Sequence, residues 1–339
     1  MKSINLGKNI AVTSPIGVGT RLWGSLTENE AIHLIDYARQ LEINLFDTAD
    51  VYGQGKAEEV LGSAIRHFKR NEIVLATKGG MRKSASGQFV QDSSPEYIRE
   101  AIGASLRRLQ TDYVDLYQIH YYDFRTHPHK TARCLAEFVE TGQIKAIGIS
   151  NVDRKTLQQW LTQEFAQPVT LQTPWNLLQR TALPLIQEAK AANIKIIGYT
   201  PLLAGLLTPK VPEHLQNELP PSAMEYAFEL REKIEIWANQ HDLTMPEVAM
   251  AWAVGSRGTD ITLLGVRKIA HLKQVERAIV LSSDRSLLST SERLKESLPE
   301  KLPNTVIPQE VAAIDRGWDN TPSLQTLKNL DMCEHMAQI

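Results

Sequence analysis

At 339 residues, 42% of them hydrophobic and 22% charged, the chain has ample apolar material for a large core, which excludes the disordered and low-complexity classes. A formal net charge of −2 argues against whole-surface attraction to nucleic acid or to anionic membrane. The two cysteines, Cys134 and Cys333, lie far apart and outside any CxxC spacing, so neither a disulfide framework nor a zinc ribbon is indicated and a cytoplasmic location is expected.

The segment 4–12 precedes the first strand without a helix between them and is expected to form a small hairpin closing the bottom of the fold. From there a short apolar run ending in a polar residue alternates with an amphipathic stretch, which is the rhythm of βα units. The runs expected as strands are 17–19, 43–46, 73–77, 114–119, 144–149, 169–172, 194–198 and 261–264. Between them, 28–41, 57–68, 95–109 and 153–161 carry apolar residues at three- and four-residue spacing and are expected as helices. Ser94 before Pro95 reads as an N-cap followed by proline at the first helical position, and Asn151 or Asp153 is the expected cap of a later helix.

Eight strands alternating with helices predict an α/β fold, a (β/α)8 TIM barrel spanning about 13–281 within a single domain of 1–339. From residue 282 the rhythm stops, and 282–339 is expected to be a covering tail. No apolar run reaches the roughly 18 residues that cross a bilayer, and the N-terminus lacks the apolar core of a signal peptide.

In a parallel barrel the active site lies at the carboxyl ends of the strands. There the sequence puts Asp47 after the second run, Lys78 after the third, His120 after the fourth, Ser150 and Asn151 after the fifth, Gln172 after the sixth and Tyr199 after the seventh, with Tyr52 on the loop following Asp47. A carboxylate, an ammonium and an imidazole on neighbouring strand ends form a proton-transfer set. A tyrosine with a pKa of about 10 is a poor acid near neutrality, and a cation beside it favours the phenolate. Asp47 is expected to pair with Lys78 and keep it charged, and His120 to hydrogen-bond a substrate carbonyl oxygen.

The motifs GVGTRLWG (17–24), FDTADVYGQGKAEEVLG (46–62), ATKGG (76–80), SLRRLQTDYVDLYQIH (105–120), GQIKAIGISN (142–151) and YTPLLAGLL (199–207) together resemble the aldo-keto reductases. The resemblance implies that Tyr52 is the general acid, completed by Asp47, Lys78 and His120, and that NADPH supplies hydride to the carbonyl of a small-molecule aldehyde or ketone. It also implies that Ser150, Asn151 and Gln172 hold the nicotinamide carboxamide, that Tyr199 stacks on the ring, that Gly19 and Thr20 line the same pocket, and that Asp47 is among the cofactor-binding residues. Thr200, Leu202 and Ala204 would follow the pyrophosphate, Gly265 and Arg267 the adenosine phosphate, and Trp23, with Tyr52 and His120, would face the substrate.

The sequence departs from that pattern in LLGVRKIAHLKQVERA (263–278), where Val266 stands in place of a hydroxyl residue, His271 of a glutamine or arginine, and Val275 of an asparagine. Arg267 and Lys268 remain as phosphate ligands, which keeps NADPH as the expected cofactor.

Rival readings are weaker. GVGTRLWG breaks the GxGxxG spacing, and GQGKAEE lacks the first glycine and the Ser or Thr of a phosphate loop. His127 and His129 have no partner cysteine or carboxylate pair nearby, so they are expected in a solvated loop and no metal is assigned. Arg107, Arg108, Asp112 and Asp115 are expected to be structural. The alternative function is an NADPH-sensing regulatory or binding subunit with slow turnover.

Overall fold

The computed structural model describes residues 3–7, 10–84, 87–213, 221–284 and 289. The strands are β1 (Ile16–Gly19), β2 (Leu45–Asp47), β3 (Val74–Gly79), β4 (Met81–Lys83), β5 (Phe89–Gln91), β6 (Val114–Ile119), β7 (Ile144–Ser150), β8 (Thr170–Pro174), β9 (Lys195–Tyr199) and β10 (Ile261–Gly265). Eight of them close into a parallel barrel in the order β1-β10-β9-β8-β7-β6-β3-β2, while β4 and β5 form a separate antiparallel hairpin. That hairpin is not legible in the sequence as read above: its strands are three residues long, and only Met81 is fully buried.

The helices are α1 (Glu28–Gln40), α2 (Lys56–Ile65), α3 (Pro95–Leu109), α4 (Pro128–Glu140), α5 (Arg154–Thr162), α6 (Leu183–Ala191), α7 (Pro221–Gln240), α8 (Met245–Gly255) and α9 (Ile269–Leu281). Helix α3 starts as expected, with the Ser94 hydroxyl accepting from the Tyr97 amide and Pro95 in the first turn. Of the two candidates for the α5 cap, the structure selects Asp153, whose carboxylate accepts from the Thr156 amide at 2.6 Å. His127, expected in a solvated loop, instead caps α4 by accepting the His129 amide on Nδ1 at 3.3 Å.

The expected closing hairpin is present as one antiparallel bridge between Ile4 and Thr13, just past the expected end, sealed by backbone bonds of 2.8 and 2.9 Å. Ile4, Leu6 and Ile10 are buried against Leu45, Val74, Ala76, Leu116, Ala146, Ile197, Ile261 and Leu263, the inward residues at the amino ends of the strands. Gly17 makes that packing possible, since a Cβ there would lie 2.7 to 2.8 Å from the side chains of Leu263 and Leu45. The tail expected from residue 282 falls outside the described residues apart from 282–284 and 289. No helix among the described residues is long and apolar enough to cross a membrane.

Asp115 and Arg108 occupy ion pairs. Asp115 holds Arg70 and Lys145 at 2.8 Å each, and Arg108 holds Glu58 at 2.7 Å.

Candidate active site

Strand register decides which side chains meet. Asp47 lies beside Gly19 of β1 and Ala76 of β3, Lys78 beside Gln118 of β6, and Ser150 beside Gln172 of β8. Side chains alternate along a strand, so Ala76 and Lys78 share one face, as do Leu116, Gln118 and His120. Ala76 and Leu116 fill the apolar interior, and Lys78, Gln118 and His120 form the polar layer above it.

Lys78 has no exposed surface. Its ammonium carries three N–H donors, and three acceptors meet it: Asp47 Oδ1, the Thr48 carbonyl at 2.9 Å and the Tyr52 hydroxyl at 3.5 Å. The second oxygen of Asp47 accepts from the Gln118 and Gln172 amides, both at 3.1 Å. A buried ion pair is tolerable when its remaining valences are filled in this way.

Tyr52 reaches Lys78 because its loop is fastened to β3. The Thr48 amide donates to the Ala76 carbonyl at 2.9 Å and the Asp50 amide to the Lys78 carbonyl at 3.0 Å. Gly53, Gln54 and Gly55 then take left-handed φ of 56°, 56° and 91°, turning the chain sharply from Tyr52 into α2. The Tyr52 and His120 rings stand edge to face, 5.8 Å between centroids and 83° between planes.

His120 is held well below the ordinary histidine range, first by burial and then by the charges of Lys78 and Arg21. It is therefore neutral at physiological pH, able to donate one hydrogen bond without acting as an acid. Its Nδ1 is sealed from solvent without a partner among the described residues.

A second group of expected residues lines the next strand ends. Thr20 donates its amide (2.9 Å) and hydroxyl (3.1 Å) to the Asp47 carbonyl. Asn151, at a left-handed φ of 54°, donates to the His120 carbonyl at 3.0 Å and accepts from the Tyr199 hydroxyl at 2.7 Å. The Ser150 hydroxyl is buried with no partner among the described residues. Gln172, expected to face a carboxamide, donates its side-chain amide to Asp47. Beyond Tyr199, the non-glycine residues Thr200, Leu203 and Ala204 all have left-handed φ (54°, 49° and 54°), while Leu202 between them has a φ of −97°. Such strain clusters at ligand-holding segments.

Gly265 lies in register with Gly19, so the end of β10 adjoins this layer. Gly265, Arg267 and Lys268 are exposed at the start of the 13-residue α9, whose first turn has no side-chain cap. The Arg267 amide donates to His271 Nδ1 at 3.3 Å.

One expectation is corrected. Trp23 does not face a pocket: it is fully buried, its indole donates to the Val266 carbonyl at 2.7 Å, and its ring lies 6.4 Å from Phe46. The sequence reading also passed over Gln118, whose signal was a polar residue two places before His120 on an apolar strand, and Arg21, a cation next to Thr20. Among the described residues no cluster of three His, Cys, Asp or Glu side chains gathers as a metal site.

The model of the aldo/keto reductase family matches residues 15–289. The chain is 33% identical over 279 residues to the aldo-keto reductase YhdN of Bacillus subtilis (strain 168), covering 77% of this chain and 83% of that protein. It is 30% identical over 286 residues to the NADH-specific methylglyoxal reductase of Escherichia coli (strain K12), covering 74% and 85%. Among solved structures, glycerol dehydrogenase AKR11B4 from Gluconobacter oxydans superposes with a TM-score of 0.78 at 26% identity, covering 89% of this chain and 98% of that one. An aldo/keto reductase from Klebsiella pneumoniae in complex with NADP and acetate shares the fold, with a TM-score of 0.69 at 24% identity and coverage of 86% and 94%.

Proposed function

The chain belongs to the aldo/keto reductase family, and from that premise we propose that it reduces the carbonyl of a small aldehyde or ketone to an alcohol, with NADPH as cofactor and Tyr52 as general acid. The observation that carries the reading is the buried triad in which Lys78 touches both Asp47 and the Tyr52 hydroxyl, with His120 edge-on to Tyr52.

The residues fit the cofactor. The unpartnered buried hydroxyl of Ser150, with Asn151 beside it, suits a carboxamide, and the half-buried Tyr199 suits a ring stacked on it. The strained segment 200–204 suits a pyrophosphate. The uncapped N-terminus of α9, with Arg267 and Lys268, suits the adenosine phosphate that separates NADPH from NADH. NADPH supplies the hydride when bound.

The protein's own contribution is the proton and the field around it. A carbonyl oxygen resting between Tyr52 and His120 receives a hydrogen bond from each. Because His120 is kept neutral, the acid of the pair is Tyr52, whose phenolate the Lys78 ammonium stabilises as the proton leaves. Asp47, saturated by Lys78, Gln118 and Gln172, holds that ammonium in place. Tyr52→Phe keeps the ring and removes the proton. Steady-state reduction of simple aldehydes with NADPH is expected to fall by about two to four orders of magnitude, and unchanged turnover would sink the mechanism.

A further inference from the structure

Behind Tyr52 and Lys78, between α2, α3 and β4, lies a second polar cluster that the proposed reaction does not use. Glu58, fully buried on α2, accepts the Thr77 hydroxyl at 2.6 Å on one oxygen and the Arg108 guanidinium at 2.7 Å on the other. Arg108 is thereby committed to Glu58. Asp50 stands beside this pair. Although the residue keeps some surface, its Oδ1 is sealed and has no partner among the described residues, and its Oδ2 lies 3.0 Å from the Tyr97 hydroxyl.

Tyr97 meets two acceptors. Its oxygen contacts the Met81 carbonyl as well as Asp50. A backbone carbonyl only accepts, and a phenol has one proton. That proton can serve Met81 or Asp50 but not both, and an Asp50 that carries its own proton lets Tyr97 serve Met81 while Asp50 donates to the Tyr97 oxygen. A neutral acid meets the demand: its O–H donates to Tyr97, and its remaining oxygen, a weak acceptor, is cheaply left unpaired. An ionised Asp50 would leave a charged oxygen sealed and unpaired and would draw the Tyr97 proton away from Met81.

We infer that Asp50 is a positioning residue held as a neutral carboxylic acid, fastening the loop that carries Tyr52 to the β4–β5 hairpin through Tyr97. Asp50 lies two residues before Tyr52, and its amide donates to the Lys78 carbonyl, so the latch acts on both members of the proton-donating pair. The titratable groups that face it are Glu58 on α2, Tyr97 and Arg108 on α3, and Tyr117 on β6. Burial, and next the charge of Glu58, push Asp50 up to about 8. Tyr97 and Tyr117 are raised above the ordinary tyrosine range, chiefly by burial and then by Asp50.

The activity arm of the test rests on the proposed reductase function; the spectroscopic and stability arms do not. In the infrared difference between wild type and Asp50→Asn, a protonated-carboxyl stretch is expected at mildly acid pH, lost in one titration near pH 8. No such band, or its loss in the ordinary carboxylate range, overturns the inference. Stability gives an independent reading. A raised pKa means that the folded state binds the proton more tightly than the unfolded one, so wild-type stability declines between about pH 3.9 and about 8 and the contribution is flat above that. The advantage of Asp50→Asn in melting temperature is therefore expected to grow across that window and then level off, and a pH-independent difference overturns the inference. In turnover, Asp50→Ala is expected to lose up to about a hundredfold by misplacing the Tyr52 loop, while the Asn variant, which still donates to Tyr97, recovers most of it. Equal losses in the two variants overturn the positioning role. If the wild type reduces no carbonyl compound, the reductase reading fails and the infrared and thermal measurements still decide on Asp50.

Discussion

The layer around Lys78 and the start of α9 are built on opposite plans. At the strand ends Lys78, Asp47, Gln118 and Gln172 are buried, and Asp47 ties the other three together. At the start of α9, Arg267 and Lys268 are exposed and anchored by little beyond the Arg267 amide on His271. Removing one member of a closed buried network strands the rest, whereas an exposed cation is an independent, replaceable part. On the proposed reading, the chemistry is locked into the barrel, while the cations proposed to distinguish NADPH from NADH are side chains that can change without disturbing the fold.

The comparison breaks most visibly at Lys78. Lys78→Met leaves Asp47 buried without its cation, and a stability loss of about 3 to 5 kcal/mol in urea unfolding is expected together with the loss of reduction. A loss below about 1 kcal/mol would mean that the network is not closed. Arg267→Ala is expected to act on one cofactor alone, raising KM for NADPH by about tenfold, or about 1.4 kcal/mol, and leaving KM for NADH unchanged. An equal rise for both would place Arg267 on the shared pyrophosphate. The smallest effect is expected from Arg21→Met. Removing that charge raises the pKa of His120, followed by NMR, but leaves it below 6.5, because burial and Lys78 act more strongly. No movement would show that Arg21 does not reach the site electrostatically.

The barrel was legible because most of its strands advertise themselves twice, as an apolar run and as a polar residue at the end. Asp47, Lys78 and His120 were found that way, and Tyr52 by its place on the adjoining loop. Three kinds of feature escaped. The β4–β5 hairpin is too short and too exposed to carry a periodicity. Trp23 resembles a pocket residue by its place in the motif, but an indole has one donor, and the Val266 carbonyl takes it. The same packing gives Val266 a reason to be apolar, since its side chain is buried rather than turned to a phosphate. The protonation of Asp50 belongs to no sequence pattern, because it follows from Tyr97 and Met81, which fold onto the loop from elsewhere in the chain.

The apolar floor of the barrel has a consequence for traffic. Ile4, Leu6 and Ile10 fill the lower end against Leu45, Val74 and Leu116, which leaves the carboxyl face as the entrance and the exit for every reactant. For the proposed reaction, a dinucleotide and a carbonyl compound would then share one doorway.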